Sequence, residues 1–228
     1  MKKFFMSDLY IIDKKDYTRK SEELMIKFLD EFFWKSFSML KMNRIKGDYL
    51  EFGCGNNVRS FRLAYKYKVL EKMKLRLFAF DSFQGLSKPE GIDKHAQWRK
   101  GAMAVSIKDF HKVLASQNAS PKDYHIVPGF YNETLDGFSP SKYGIKKAAM
   151  VFVDCDLYSS TVSVLNFVKE ALTDGCVIAF DDWFCFNGDP KKGEQRAFSE
   201  FLKKNRDVSV SEYLNFGWHG KSFVVHRK

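Results

Sequence analysis

A chain of 228 residues, 45% of them hydrophobic, has the length for one substantial core and fits a single domain. Its formal charge of +10 admits nucleic acid, an anionic membrane or an anionic small substrate, but the lysines are dispersed in short pairs such as Lys146-Lys147, Lys191-Lys192 and Lys203-Lys204. No Arg-rich block or zinc-finger spacing speaks for nucleic acid, no apolar run is long enough to span a bilayer, and Ser7-Asp8 cuts the MKKFFM start too short for a signal peptide.

The four cysteines, Cys54, Cys155, Cys176 and Cys185, form no CxxC pair, and three fall in or beside predicted strands. There a thiol acts as a small buried hydrophobe, so a reducing cytoplasm is expected. Sixteen per cent of the chain is aromatic, including 23 Phe, which implies either a ring-packed core or an apolar pocket.

Residues 1 to 20 are mixed and aromatic, with Tyr10-Ile11-Ile12 their apolar cluster. They read as an arm across a substrate mouth, a dimer contact or a loose tail. Ser21-Glu22-Glu23 opens a helix whose stripe is Leu24, Phe28, Leu29, Phe32, Phe33, Phe37 and Leu40. Residues 1–46 are thus an arm and helix belonging to the same domain as 47–228. That ring-rich helix and the arm also permit a homodimer through a two-fold contact.

Asp48 to Phe52 is the first strand, followed by a Gly53-Cys54-Gly55-Asn56-Asn57 turn and a helix over Val58 to Leu70. Leu75 to Phe80 is the second strand, ending at Asp81. Ser82 to Gly101 is broken by Gly85, Pro89 and Gly91 and reads as loop. Val105 to Leu114 is helical, Tyr124 to Val127 is the third strand, and Tyr131 to Phe138 holds one helical turn.

Ala148 to Val153 and Cys176 to Phe180 are apolar without alternation, as strands inside a parallel sheet covered on two faces are. Between them Val162, Leu165, Phe167, Val168 and Leu172 stripe a helix that Asp174-Gly175 is expected to stop. Gly193 to Asn205 is a last helix. Val208 to Phe216 and Ser222 to His226 form a hairpin around Gly217 and Gly220. The sum is an α/β, Rossmann-like, doubly wound and mostly parallel seven-stranded sheet with a C-terminal antiparallel hairpin.

In such a sheet the strand ends share one edge, where ligands bind. Asp154 and Asp156 follow the fourth strand; Asp181 and Asp182 follow the fifth. Four carboxylates gathered together are costly unless a positive charge sits among them, and a hard divalent cation takes oxygen ligands. Helix capping by Asp156 or Asp182 is the structural alternative.

Glu51-Phe52-Gly53-Cys54-Gly55 lacks the third glycine of GxGxxG, so taken alone it reads equally as a tight βα turn or as a turn that lets backbone approach a ligand. Asp81, one βαβ unit on, adds a carboxylate able to accept both hydroxyls of an adenosine ribose. Glu51 repels a pyrophosphate but suits a cationic or amino-bearing ligand reached through water. That combination favours S-adenosylmethionine over NAD. None of the histidines, His95, His111, His125, His219 and His226, has HxH or HExxH spacing, and each reads as an ordinary surface or packed residue. Trp98-Arg99-Lys100 reads either as a lid that closes on a glycosidic acceptor or as an exposed turn.

In this order, Glu51-Phe52-Gly53-Cys54-Gly55, Phe80-Asp81-Ser82-Phe83-Gln84-Gly85-Leu86, Asp154-Cys155-Asp156-Leu157-Tyr158-Ser159-Ser160-Thr161 and Asp181-Asp182-Trp183 together resemble the macrocin O-methyltransferase family. Those class I S-adenosylmethionine-dependent enzymes methylate sugar hydroxyls, notably on antibiotic glycosides, and depend on magnesium. The resemblance spans Gly47 to Phe201 and the closing hairpin. It implies that Glu51, Gly53 and Gly55 form the cofactor turn, and that Asp81 binds ribose with Ser82 and Phe83 beside the adenosine. It further implies that Asp154, Asp181 and Asp182 hold Mg2+ and that Asp156, or Asp154 itself, is the base. The acceptor implied is a sugar or glycosylated small molecule.

Three departures stand out. Cys54-Gly55-Asn56-Asn57 replaces a bulkier, more glycine-rich turn, Trp183 stands where Tyr is usual, and Pro89 to Met103 has no counterpart. The competing readings are a catechol-type phenol O-methyltransferase, a nucleic-acid methyltransferase and a non-catalytic Rossmann-like binding protein. The acids at the site mouth argue against a phosphate backbone as partner.

Overall fold

The computed structural model describes residues 14–55, 57–96 and 98–228. The expected aromatic arm with Tyr10-Ile11-Ile12 lies outside the described residues. Strands β1 (Asp48–Phe52), β2 (Leu77–Asp81), β3 (His125–Pro128), β4 (Ala148–Val153), β5 (Leu172–Phe180), β6 (Val208–Phe216) and β7 (Gly220–Arg227) form one seven-stranded sheet. Their order is β3-β2-β1-β4-β5-β7-β6. The first five are parallel, β7 runs antiparallel to β5, and β6 antiparallel to β7. Strand order reverses between β1 and β4, the switch point at which open α/β sheets bind ligands.

Side chains alternate along each strand and divide the core into two layers. From β1, Leu50 and Phe52 join the layer under α5 (Tyr158–Val168) and α6 (Gly193–Lys204), with Phe167 and Phe198. Tyr49 points the other way, toward α1 (Lys14–Met42), α2 (Arg59–Leu70) and α3 (Ile107–Ala115), with Phe33, Phe61 and Phe110. Ring pairs such as Phe32 on Phe216 at 4.2 Å and Phe52 on Phe80 at 4.8 Å fill both layers. The unusual phenylalanine content is therefore core packing, each such pair contributing about 0.5–1.5 kcal/mol beyond its buried area.

Two expectations are corrected. The first concerns α1, which starts at Lys14 rather than Ser21; it buries Phe32, Phe33, Phe37 and Leu40 while leaving Leu24 and Phe28 exposed. The expected stripe was too long because the helix's first half lies beside the mouth of a cavity instead of over the sheet. The second concerns Asp174-Gly175, which does not stop a helix: α5 ends at Val168, and the pair lies inside β5. Pairing with β4 jumps there from Ala148↔Leu172 to Met150↔Val177, a bulge. Gly175 has φ +80°, and a Cβ would come within 2.4 Å of Ile45. The other elements match the expected ones to within two or three residues, α4 (Tyr131–Thr134) being the single turn foreseen. Among the described residues no helix is long and apolar enough to cross a membrane.

Candidate functional site

Backbone hydrogen bonds continue past the strand ends and align the residues that follow them. Asp181 N–H donates to Val153 O at 2.9 Å, Asp154 N–H to Phe52 O at 2.8 Å, Gly53 N–H to Phe80 O at 2.9 Å and Gly129 N–H to Asp81 O at 3.0 Å. Asp181, Asp154, Gly53 and Gly129 thus stand in a row along one sheet edge. Gly53 has φ +87°, and a Cβ would sit 1.7 Å from Asp154 O, so only glycine fits against β4. Gly55, at φ +55°, has no atom within 4 Å of its missing Cβ and faces open space.

That space is a cavity of about 390 Å³ lined by Gly53, Gly55, Asp81, Ser82, Tyr131 and Ser160, among others. Asp81 crosses its floor, with Oδ2 accepting Cys54 N–H and Oδ1 accepting Phe83 N–H, each at 2.6 Å. Burial raises its carboxyl pKa while the amides of Cys54, Phe83 and Gly55 pull it back. With three amides drawn to it, the carboxylate still keeps an acceptor position for a ligand hydroxyl. Ser82 Oγ donates to Gly85 O at 2.8 Å and holds the loop beside the cavity. Phe83 turns away, edge-on to Phe110 at 5.7 Å, and does not line the cavity. Glu51 is also absent from the lining. It points into the α2 layer, where Tyr49 OH donates to Oε2 and Ser60 Oγ to Oε1 at 2.8 Å. Burial pushes its pKa up to about 8.

A second cavity of about 400 Å³ opens on the α1 side, lined by Met25, Arg59, Trp98, Asp181, Asp182 and His219, among others. Gly55, Met103, Asp154 and Asp156 line both cavities and form the wall where they meet. Asp156 is held there at φ +59°, an uncommon conformation for a side chain-bearing residue. It does not cap α5, whose N-cap residue is Leu157. The loop before α3 supplies that service instead: both oxygens of buried Asp93 lie 3.4 Å from Ser159 N. The same loop brings Trp98 down onto Phe186 at 4.5 Å, with its indole N–H donating to Asp156.

Asp154, Asp156 and Asp182 converge, their nearest carboxylate oxygens all lying within 4.8 Å of one another. Burial pushes Asp154 well above the usual carboxylate range, and Asp181 and Asp182 add to the shift. Asp156 is raised by burial and then by Asp182 and Asp181; Asp182 is raised chiefly by burial. Asp182 Oδ1 accepts the Cys185 thiol at 3.2 Å, while its Oδ2 is buried and makes no hydrogen bond among the described residues. Carboxylates this close need a proton or a cation between them. An all-oxygen set with an unpartnered buried oxygen fits a hard divalent ion.

Asp181 belongs to the same edge, but its Oδ2 lies 3.7 Å from His219 Nδ1, which also donates to the Asp181 carbonyl at 2.5 Å. Burial lifts Asp181 to about 6, and His219 pulls against that. His219, taken from the sequence as an ordinary histidine, is a cavity residue; its place in the hairpin turn gave no signal. Trp183 is half-buried, packing on Phe223 at 4.9 Å against the core.

A family model described as Macrocin-O-methyltransferase (TylF) matches residues 29–209. A curated relative from Streptomyces olivaceus, 8-demethyl-8-(2,3-dimethoxy-alpha-L-rhamnosyl)-tetracenomycin-C 4'-O-methyltransferase, is 25% identical over 147 residues. That match takes in 61% of this chain and 54% of the relative, so the chain spans about half the length of the curated relative it matches. Among solved structures, the calicheamicin methyltransferase CalS11 superposes with a TM-score of 0.72 at 17% identity, covering 98% of each chain. The O-methyltransferase NovP gives 0.68 at 20% identity, covering 86% of this chain and 78% of its own. These structures share the Rossmann-like fold.

Proposed function

The chain belongs to the macrocin O-methyltransferase family, and from that premise we propose that it transfers a methyl group from S-adenosylmethionine to a hydroxyl of a sugar or glycosylated small molecule, with Mg2+. The observation that carries this reading is the wall of Gly55, Met103, Asp154 and Asp156 between two cavities. A donor in the Asp81 cavity and an acceptor in the His219 cavity meet at that wall, and in-line transfer from a sulfonium needs donor and nucleophile positioned face to face. The curated relative and CalS11, whose structure is also described as a TDP-rhamnose 3'-O-methyltransferase, support a sugar acceptor.

Asp81 takes the ribose hydroxyls, Gly53 and Gly55 let the backbone approach the donor, and Ser82 holds the adjoining loop. Asp156, steadied by the Trp98 indole, receives the hydroxyl proton. Asp154 and Asp182 would hold Mg2+, which supplies Lewis acidity toward the acceptor oxygen. The family resemblance makes Asp181 the third ligand, whereas distance favours Asp156. Manganese titration of Asp181→Asn and Asp156→Asn decides between them, the true ligand being the one whose loss weakens binding.

Calorimetry should show S-adenosylhomocysteine binding with NAD weak or absent; preferential NAD binding sinks the cofactor reading. EDTA should abolish labelled-methyl transfer to a glycosylated acceptor and magnesium should restore it. Full activity after verified metal removal would reject the metal and leave the transferase. The unpaired thiols of Cys54, Cys155, Cys176 and Cys185 support a cytoplasmic setting. Exposed Leu24, Ile26, Phe28 and Trp34 on α1 support a homodimer, which a monomeric mass in light scattering would remove.

A further inference from the structure

Glu194 stands directly behind the acidic cluster, and the proposed reaction gives it no task. It is the second residue of α6 and only 1% exposed. Its Oε2 accepts the Asp182 amide N–H at 2.9 Å. Its Oε1 is buried and makes no hydrogen bond among the described residues. A buried carboxyl oxygen without a partner is costly, and an apolar side chain of equal size avoids that cost. The contact with the Asp182 amide is therefore the one that gives the group a purpose.

Its neighbours grip the same loop. Gln195 Nε2 donates to Trp183 O at 2.6 Å and to Gly188 O at 3.4 Å. Gly193 lies so close under Phe186 that a Cβ would come within 2.7 Å of the ring. The first turn of α6 thus fastens the 181–188 loop at its beginning, middle and end. That loop carries Asp181, Asp182 and Cys185, and the Cys185 thiol occupies Asp182 Oδ1, leaving the buried Oδ2 for another partner.

We propose that Glu194 is a positioning residue for the cation site: by accepting the Asp182 amide it holds the loop where the Asp182 carboxylate meets Asp154 and Asp156. This rests on the reading that Asp154 and Asp182 bind a divalent ion. The group acts through the backbone, so an acceptor oxygen at this place matters and its negative charge does not. Glu194→Gln keeps a carbonyl oxygen for the amide. Glu194→Met fills the same space without one.

The test is Mn2+ binding to the full chain, followed by electron paramagnetic resonance of the free ion. S-adenosylhomocysteine calorimetry and thermal melting of the same samples are the controls. Glu194→Gln should bind Mn2+ within about threefold of the parent, and Glu194→Met at least roughly tenfold more weakly. The affinity for S-adenosylhomocysteine should hold in both, because the cofactor cavity does not include this loop. Unchanged Mn2+ affinity in Glu194→Met overturns the proposal even if its melting temperature falls. Equal loss in Glu194→Gln and Glu194→Met overturns it too, because charge would then be the cause. A parent chain that binds S-adenosylhomocysteine but no Mn2+ rejects the cation reading, and the clamp falls with it. Glu194→Leu replaces Glu194→Met if the latter does not fold, with the same outcomes.

Discussion

Glu51 and Asp81 sit on neighbouring parallel strands and meet opposite fates. Asp81 ends its strand at the cavity, whereas Glu51 is wholly buried with its pKa lifted from the ordinary 4.5 to about 8. Between those values the native protein keeps a proton that the unfolded chain has released, so this group's contribution to stability falls as pH rises through the window. Glu51→Gln should flatten the decline of melting temperature between pH 4.5 and 8, recovering on the order of a few kcal/mol at the upper end. Identical pH slopes in both proteins would contradict this. Asp81→Ala should weaken S-adenosylhomocysteine binding by roughly 1–3 kcal/mol in calorimetry, through loss of the proposed ribose contact and release of the Cys54 and Phe83 amides. Sequence made Asp81, Asp154, Asp156, Asp181 and Asp182 legible because each closes or follows an apolar strand. Glu194 and His219 were not legible: each reaches the site from an element far along the chain whose local pattern is unremarkable.

At the scale of elements, the two glycines of the first turn separate fold from ligand. Gly53→Ala forces a β-carbon onto the Asp154 carbonyl and should cost more than about 3 kcal/mol, read as loss of the folded fraction in urea. Gly55→Ala meets nothing and should cost only about 1–2 kcal/mol of backbone strain, while its methyl group intrudes on the Asp81 cavity and should weaken S-adenosylhomocysteine binding if that cavity is the donor site proposed above. If both variants lose the same stability, the distinction fails. Strand runs and the hairpin were readable from β-branched, apolar stretches. The β5 bulge was hidden because Asp-Gly is the ordinary mark of a turn; here Gly175 lets the chain step around Ile45 while remaining in the sheet. The loop between β2 and α3 showed only breakers in sequence. Its hold on the site comes from Asp93 and Trp98, through contacts with α5 and Asp156 that local pattern does not encode.

For the whole molecule, sheet order places both cavities on one edge while their outer linings come from different parts of the chain. Residues lining the Asp81 cavity follow β1, β2, β3 and β4 or belong to α5. The His219 cavity is lined from the first half of α1, the 217–219 hairpin turn and the loop carrying Trp98, together with the turn after β1 and the loop after β5. Of these, the first half of α1 and the hairpin turn carry exposed Leu24, Phe28 and Trp218, whereas Phe52 and Phe152 are wholly buried in the sheet core. Under the proposed methyl transfer, a new acceptor is accommodated by rewriting that rim while the Asp81 cavity stays intact. On that proposal the partition works as a socket with interchangeable jaws, one fixed donor seat facing a grip that can be refitted around a different sugar.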